Sequence, residues 1–315
     1  MADRMKKIRC RFINGAVAGI VAMALLAGCA TPHDTVAPDA GGGRAPAPGG
    51  LAPHQGQALP PAPAGVGAAG GGDSLQELAT KSLNPVAKMM KVPVQNNFNF
   101  GVGPNQVTPY TLNLQPVIPV TINADWNLIT RTVVPVISQP SPETGVPGAY
   151  GLGDVNPALL FSPATSGKQF WGLGPAATFP TGTSSPLTSG QWSLGPAAVY
   201  MATPGQWMLG GLASQQWSVG GWSDRSVNVT NLEPMLIYHL PEGWYLCSMP
   251  TITADWTADT GNRWTVPVGG GVGKVVRLGN LPVNLQLQAF QNVEKPDNLG
   301  ADWQLRFQLL FLFPK

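Results

Sequence analysis

Charge is what this chain has least of. Only 11% of its 315 residues are Asp, Glu, Lys or Arg, where a soluble domain carries roughly a quarter. That scarcity argues against a surface built wholly for water. Long apolar runs are missing as well, since no stretch reaches the roughly 18 residues that a membrane-crossing helix needs. If the chain crosses a bilayer, strands must do it. Cysteine is scarce: Cys10, Cys29 and Cys247 are the only three, too few and too scattered for a disulfide framework. Histidine is scarcer still beyond the N-terminal third, where His239 stands alone. Neither a metal site nor a cofactor is expected from that supply.

What is present begins with a targeting segment. Arg4, Lys6, Lys7, Arg9 and Arg11 precede the apolar run Ala16 to Ala27, and "LAGC" closes it at Cys29. This pattern predicts a signal peptide over 1–28. The tetrapeptide resembles a bacterial lipobox, which makes Cys29 the candidate lipidation site; an ordinary secretory signal with a chance cysteine is the alternative. Removal of 1–28 leaves 13 basic against 15 acidic residues, a net −2 in place of the formal +2. No nucleic-acid partner is therefore expected. Residues 29–72 are almost wholly Ala, Gly and Pro, too poor in apolar area to offset ordering entropy, and are expected to be a disordered tether. Residues 73–95 then predict a short amphipathic helix, a plug or periplasmic lid, capped by Asp73 or Ser74. Leu75, Leu78, Ala79 and Leu83 share one side, and a second turn is expected to reach Met90.

From residue 96 the texture changes to runs of about ten residues alternating in polarity. Twelve strands are expected: Asn97–Gly103, Thr111–Asn123, Trp126–Ile137, Tyr150–Phe161, Gln169–Phe179, Trp192–Ala202, Trp207–Val219, Val227–His239, Trp244–Thr257, Arg263–Arg277, Pro282–Asn292 and Asp302–Phe313. An even number of such runs, joined alternately by long polar loops and tight turns, is the pattern of an all-β antiparallel barrel in the outer membrane of a Gram-negative bacterium. Prolines interrupt nine of these strands, and bulges that shape the barrel are the expected accommodation. "WGLGPAA" and "WSLGPAA", 21 residues apart, look like a repeated hairpin device.

Tryptophan adds a partly independent signal. Trp126, Trp171, Trp192, Trp207, Trp217, Trp222, Trp244, Trp256, Trp264 and Trp303 all lie near strand ends, where amphipathic rings favour the membrane interface. Trp207 and Trp217 are ten residues apart on one strand, as are Trp303 and Phe313. Ten residues at about 3.4 Å, tilted about 40°, rise ~26 Å, matching an apolar band about 25 Å tall. Generic core filling gives no reason for that spacing. The final strand carries Leu305, Phe307, Leu309, Phe311 and Phe313 on one side, facing outer-membrane lipid. This row resembles the terminal signal read by the barrel assembly machinery, although Pro314 and Lys315 follow it.

Strand parity nominates the lumen-facing side chains Arg131, Asn231, Glu233, Thr251, Thr253, Asp255, Arg263, Gln286, Gln288, Gln304, Arg306 and Gln308. Both charge signs occur, which suits a narrow, mildly selective pore. A polar core that fills the barrel suits them as well, and twelve strands lie between filled and open barrels. No catalytic residues are expected: His239 in "YHLPEG" has no serine near it in sequence, against the nucleophile–base reach that a hydrolase needs. "GGGVGK" at Gly269 to Lys274 departs from a phosphate-binding loop, because Val268 stands where its first glycine would and Val275 follows the lysine.

Several stretches together resemble a known family: "NPVAKMMKVPVQNNFNFGVGP", "LQPVIPVTINADWNLITRTVVPVISQP", "GLGDVNPALLFSP", "WGLGPAATFPTGT", "GWYLCSMPTITADW", "RWTVPVGGGVGK" and "ADWQLRFQLLFLFPK". They are similar to a proteobacterial outer-membrane β-barrel family grouped under the meta-pathway of phenol degradation. Its members are also called transporters and, by misnaming, neuromedin U. The resemblance covers about residues 84–315. It implies a barrel that moves small aromatic or hydrophobic compounds, and it carries over no catalytic residue and no identified solute.

Overall fold

The computed structural model describes residues 74–83, 89–164, 167–279, 281–297 and 299–314. The signal segment, Cys29 and the Ala/Gly/Pro tether lie outside the described residues. Among the described residues a single helix, α1 (Leu75–Ser82), precedes the strands. Ser74 caps it: the Glu77 amide donates to Ser74 Oγ at 3.2 Å, and the Ser74 amide donates back to Glu77 Oε2 at 2.9 Å. That reciprocal pair satisfies two of the donors a helix start leaves open.

Twelve strands follow. They are β1 (Met89–Phe100), β2 (Tyr110–Leu114 continued by Val117–Thr121), β3 (Trp126–Gln139), β4 (Ala149–Leu152 continued by Asn156–Pro163), β5 (Gln169–Thr178) and β6 (Gln191–Ala202). The second half comprises β7 (Trp207–Gly221), β8 (Asn228–His239), β9 (Trp244–Ser248 continued by Ile252–Asp255), β10 (Trp264–Leu278), β11 (Leu281–Glu294) and β12 (Trp303–Pro314). Each pairs antiparallel with the next. The last strand pairs with the first from Met89↔Pro314 to Phe100↔Trp303. The ring is therefore closed, a twelve-stranded antiparallel barrel with no free edge.

Two expectations at the N-terminal edge change. Helix α1 ends at Ser82 and the chain is already in β1 at Met89, so no helical turn reaches Met90 and the barrel starts before residue 96. The cause lies in the sequence: from Met89 to Phe100 buried and half-buried positions alternate strictly, a period of two that a helix cannot present. The expected bulges are also fewer than the prolines. A register shift falls between Val266 and Pro267, and β2 and β9 break at Pro116 and Pro250. Pro135, Pro175, Pro196 and Pro234 instead sit inside a ladder that is continuous on one side and interrupted on the other.

The two "LGPAA" repeats explain how. They lie on the neighbouring strands β5 and β6, related about the pair Pro175↔Pro196, with Gly174 opposite Ala197 and Ala176 opposite Gly195. Two facing prolines cannot exchange N–H···O bonds, so this register places them at a non-hydrogen-bonded site, and the donors they lack fall on the flanking ladders, which skip Pro175 towards β4 and Pro196 towards β7. A Cβ on Gly174 would lie 1.8 Å from the Leu159 carbonyl oxygen, and one on Gly195 1.8 Å from that of Gln215. Only glycine lets β4 and β7 close on this hairpin.

Candidate functional site: the barrel lumen

Side chains divide between two surfaces in the reverse of a soluble protein. The outward face carries the large exposed apolar residues, including Leu159, Phe161, Leu173, Leu194, Tyr200, Leu246 and Phe307. Nine of the ten tryptophans, all but the half-buried Trp264, are exposed there as well. Trp264 meets Trp256 edge to face at 5.7 Å, and Trp126 meets Trp171 in the same way at 6.1 Å. Along β12 the row Leu305 to Phe313 is half-buried or exposed, while Gln304, Arg306, Gln308, Leu310 and Leu312 between them are buried.

One wall of the interior is built of amides. Gln95, Asn97 and Asn99 on β1, Asn113 and Gln115 near β2, Asn284, Gln286 and Gln288 on β11, and Gln304 and Gln308 on β12 are all buried. They occur at every second position because alternate residues share a face. Buried amides cost free energy unless bonded, and here several bond one another, whereas neither amide atom of Asn113 meets a partner among the described residues. Gln115 Nε2 donates to Gln95 Oε1 at 2.9 Å, Gln95 Nε2 to Asn97 Oδ1 at 3.0 Å, Gln288 Nε2 to Gln286 Oε1 at 3.1 Å and Gln304 Nε2 to Asn99 Oδ1 at 2.8 Å.

The facing wall is apolar and rich in thioethers. Phe170, Met201, Met208, Leu212, Met235, Ile237 and Met249, from β5 to β9, belong to one buried cluster that extends to Val117 on β2, Ile129 on β3 and Leu160 on β4 and includes Leu83 just after α1. Helix α1 thus lies within the barrel at its tight-turn end. Leu78 and Ala79 pack on Val275 of β10. Asn284 Nδ2 donates to Ser82 Oγ at 3.0 Å, and Tyr245 OH donates to Asn284 Oδ1 at 2.6 Å.

Charged groups bridge the interior. Arg131 Nη2 on β3 lies 3.8 Å from Glu233 Oε1 on β8, and it donates to Gln115 Oε1 at 3.4 Å. Arg306, 2% exposed, donates through Nε to Asn97 Oδ1 at 3.1 Å and through Nη1 to the Met249 carbonyl at 2.7 Å. Its Cζ stands 5.2 Å from the Phe290 ring centroid.

Of the residues nominated by parity, Arg131, Glu233, Thr251, Thr253, Gln286, Gln288, Gln304, Arg306 and Gln308 are buried. Asn231 is half-buried and accepts from Thr253 Oγ1 at 3.1 Å. Asp255 and Arg263 lie at the long-loop rim. Asp255 Oδ1 accepts from Thr257 Oγ1 at 2.6 Å, and the Arg263 guanidinium stands 5.1 Å over the exposed Trp256 ring, apart from the interior cluster. Parity passes over Lys91 and Gln95 because the first strand is expected to start only at Asn97, and over Asn97 and Asn99 although both fall inside that expected strand and their own alternation marks them. It also passed over Tyr245 and Asn284, whose bonds reach across two strands and have no signature in sequence. Among the described residues no group of three His, Cys, Asp or Glu side chains could hold a metal. Cys247 is buried.

A closed barrel with an apolar belt outside and polar groups within is an outer-membrane β-barrel protein, and the outer membrane of a Gram-negative bacterium is its place. A similar solved structure agrees on the fold. An outer-membrane channel from Pseudomonas putida F1 has a TM-score of 0.55 at 15% identity, covering 71% of this chain and 94% of that one. The NanC porin gives 0.46 at 10% identity over 70% of this chain and 98% of its own. Outer membrane phospholipase A from Escherichia coli gives 0.38 at 12% identity over 71% and 95%. No family model and no curated protein matches the sequence.

Proposed function

We propose that this protein is a passive outer-membrane channel for small molecules, with α1 as a removable plug. The observation that carries the reading is the uneven lining of the lumen: buried amides concentrate on β11, β12, β1 and β2, whereas thioethers and large aliphatic groups concentrate on β5 to β9. A structural core has no need to segregate the two, whereas a solute with one apolar and one polar side would meet a partner for each. The solutes are small aromatic or hydrophobic compounds, as the resemblance to the phenol-degradation barrels implies. The reading is non-enzymatic.

A specific observation favours a second reading, a filled barrel that serves as a structural or partner-binding protein: with α1 in place, Gln95, Asn97, Gln288 and Glu233 are each 1% exposed. Planar bilayers and liposome swelling separate the two. The channel reading expects unitary current steps or solute uptake that increase when residues 30–83 are deleted. The deletion must stop there, because Met89 already belongs to the ladder with β12. Silence of both forms, with the barrel shown to be folded, would establish the filled barrel.

A further inference from the structure

The charges inside the barrel are unequal. Among the described residues, the inward face between the two rims buries Lys91, Arg131 and Arg306 against a single acid, Glu233. The other deeply buried acid, Asp154, is engaged elsewhere: it accepts from the Ser189 amide at 2.8 Å, Ser189 Oγ at 2.9 Å and the Gly182 amide at 3.1 Å, so it anchors a long loop. We infer that the solute is a small amphipathic organic anion, guided through the lumen by the guanidinium groups of Arg131 and Arg306. The inference rests on the channel reading above and adds a chemical class to it.

Position makes these two residues determining. In a closed ring of twelve, β3 and β8 stand five strands apart, so the Arg131–Glu233 contact of 3.8 Å spans the interior instead of running along the wall. Arg306 on β12 likewise reaches three strands across to the Met249 carbonyl on β9. A solute moving between the rims has to pass both guanidinium groups. In a narrow space of low dielectric, fixed charge acts at full strength, and cations outnumbering acids there raise the barrier for a cationic solute and lower it for an anionic one. A guanidinium also presents paired donors that match a carboxylate. Glu233 is then the resident counter-ion, the carboxylate that a passing solute anion replaces. The apolar body of the solute meets the adaptable thioethers of Met235 and Met249.

The test uses the full chain in planar bilayers, and the 30–83 deletion where it migrates as a folded barrel. Reversal potentials under a salt gradient give the anion-to-cation permeability ratio. Liposome uptake compares benzoate, benzyl alcohol and benzylammonium, which share a ring and differ in charge. The expected result is a ratio above unity and uptake fastest for benzoate. Arg306→Gln keeps hydrogen-bonding capacity without charge and should lower the ratio several-fold, as should Arg131→Gln. Glu233→Gln should raise it, and gives an independent reading if an arginine variant fails to fold. A ratio at or below unity in the unaltered chain, or one that ignores all three substitutions, overturns the inference while leaving a channel. Absence of current and uptake in both forms overturns the channel reading and this inference with it.

Discussion

Asn284 Nδ2 donates to Ser82 Oγ at 3.0 Å, joining the helix before the barrel to a wall strand 202 positions later in the chain. Ser82 in turn donates to the Ala79 carbonyl at 2.8 Å, so the contact grips the last turn of α1. If α1 is the plug, tying these two sites together should hold it in. Ser82→Cys with Asn284→Cys, in a Cys247→Ser background, should react with a short bifunctional thiol reagent to give an intramolecular link. Linked protein should conduct several-fold less than the unlinked variant, with a reducible reagent restoring current on reduction. Equal current before and after linking would mean that α1 does not obstruct the path.

The outward row of β12 gives a stability prediction. Phe307 lies opposite Leu287 on β11 and Asn96 on β1, away from both strand ends. Phe307→Arg should destabilise the folded barrel by about 2–4 kcal/mol in lipid, and Trp303→Arg, close to the rim, by about 0–1 kcal/mol. Urea unfolding in vesicles, read by heat-modifiable gel migration, measures both. If the row is also the assembly signal, Phe313→Ala should slow insertion in cells more than it slows folding of the purified chain.

The facing repeats predict which glycines tolerate a side chain. Gly195→Val would drive a Cβ into the Gln215 carbonyl oxygen, 1.8 Å away, whereas Gly167, in a tight turn, has nothing within 4 Å of its would-be Cβ. The first should abolish the folded gel form and Gly167→Ala should leave it unchanged.

Topology is open to protease. In intact cells the long loops near Pro142, Ser184 and Asp297 should be cut from outside, and the tight turns near Gly205 and Glu242 protected. Cleavage at those turns from outside would reverse the orientation.

Cys29 lies outside the described residues, and its lipidation is a proposal from the "LAGC" stretch alone. A clickable fatty acid fed to cells should label the unaltered chain and leave Cys29→Ala unlabelled; equal labelling removes the idea.

Most strands were legible because a bilayer imposes both length and alternation. Trp126, Trp207 and Trp244 mark first residues of strands in the sequence and in the structure alike. Where the reading slipped, a local signal competed with a distant partner. The helical spacing of Leu75, Leu78, Ala79 and Leu83 carries the expected helix on to Met90, while the ladder to Phe311 and Leu309 that fixes Val92 and Val94 as strand comes from the far end of the chain. The interior was half legible for the same reason. Parity tells which side chains turn inward, so Arg131 and Glu233 could each be nominated. That they meet across five strands depends on ring closure, which no local window contains.

Ser82 ends α1 and Met89 opens β1. The connection is so short that, even fully extended at about 3.5 Å per residue, it lets the helix end move only some 25 Å from the mouth. A helix released from the lumen therefore remains at high effective concentration near its own seat, and re-entry is a unimolecular event that dilution does not slow. If α1 is the plug, closing this barrel needs no second protein, only time.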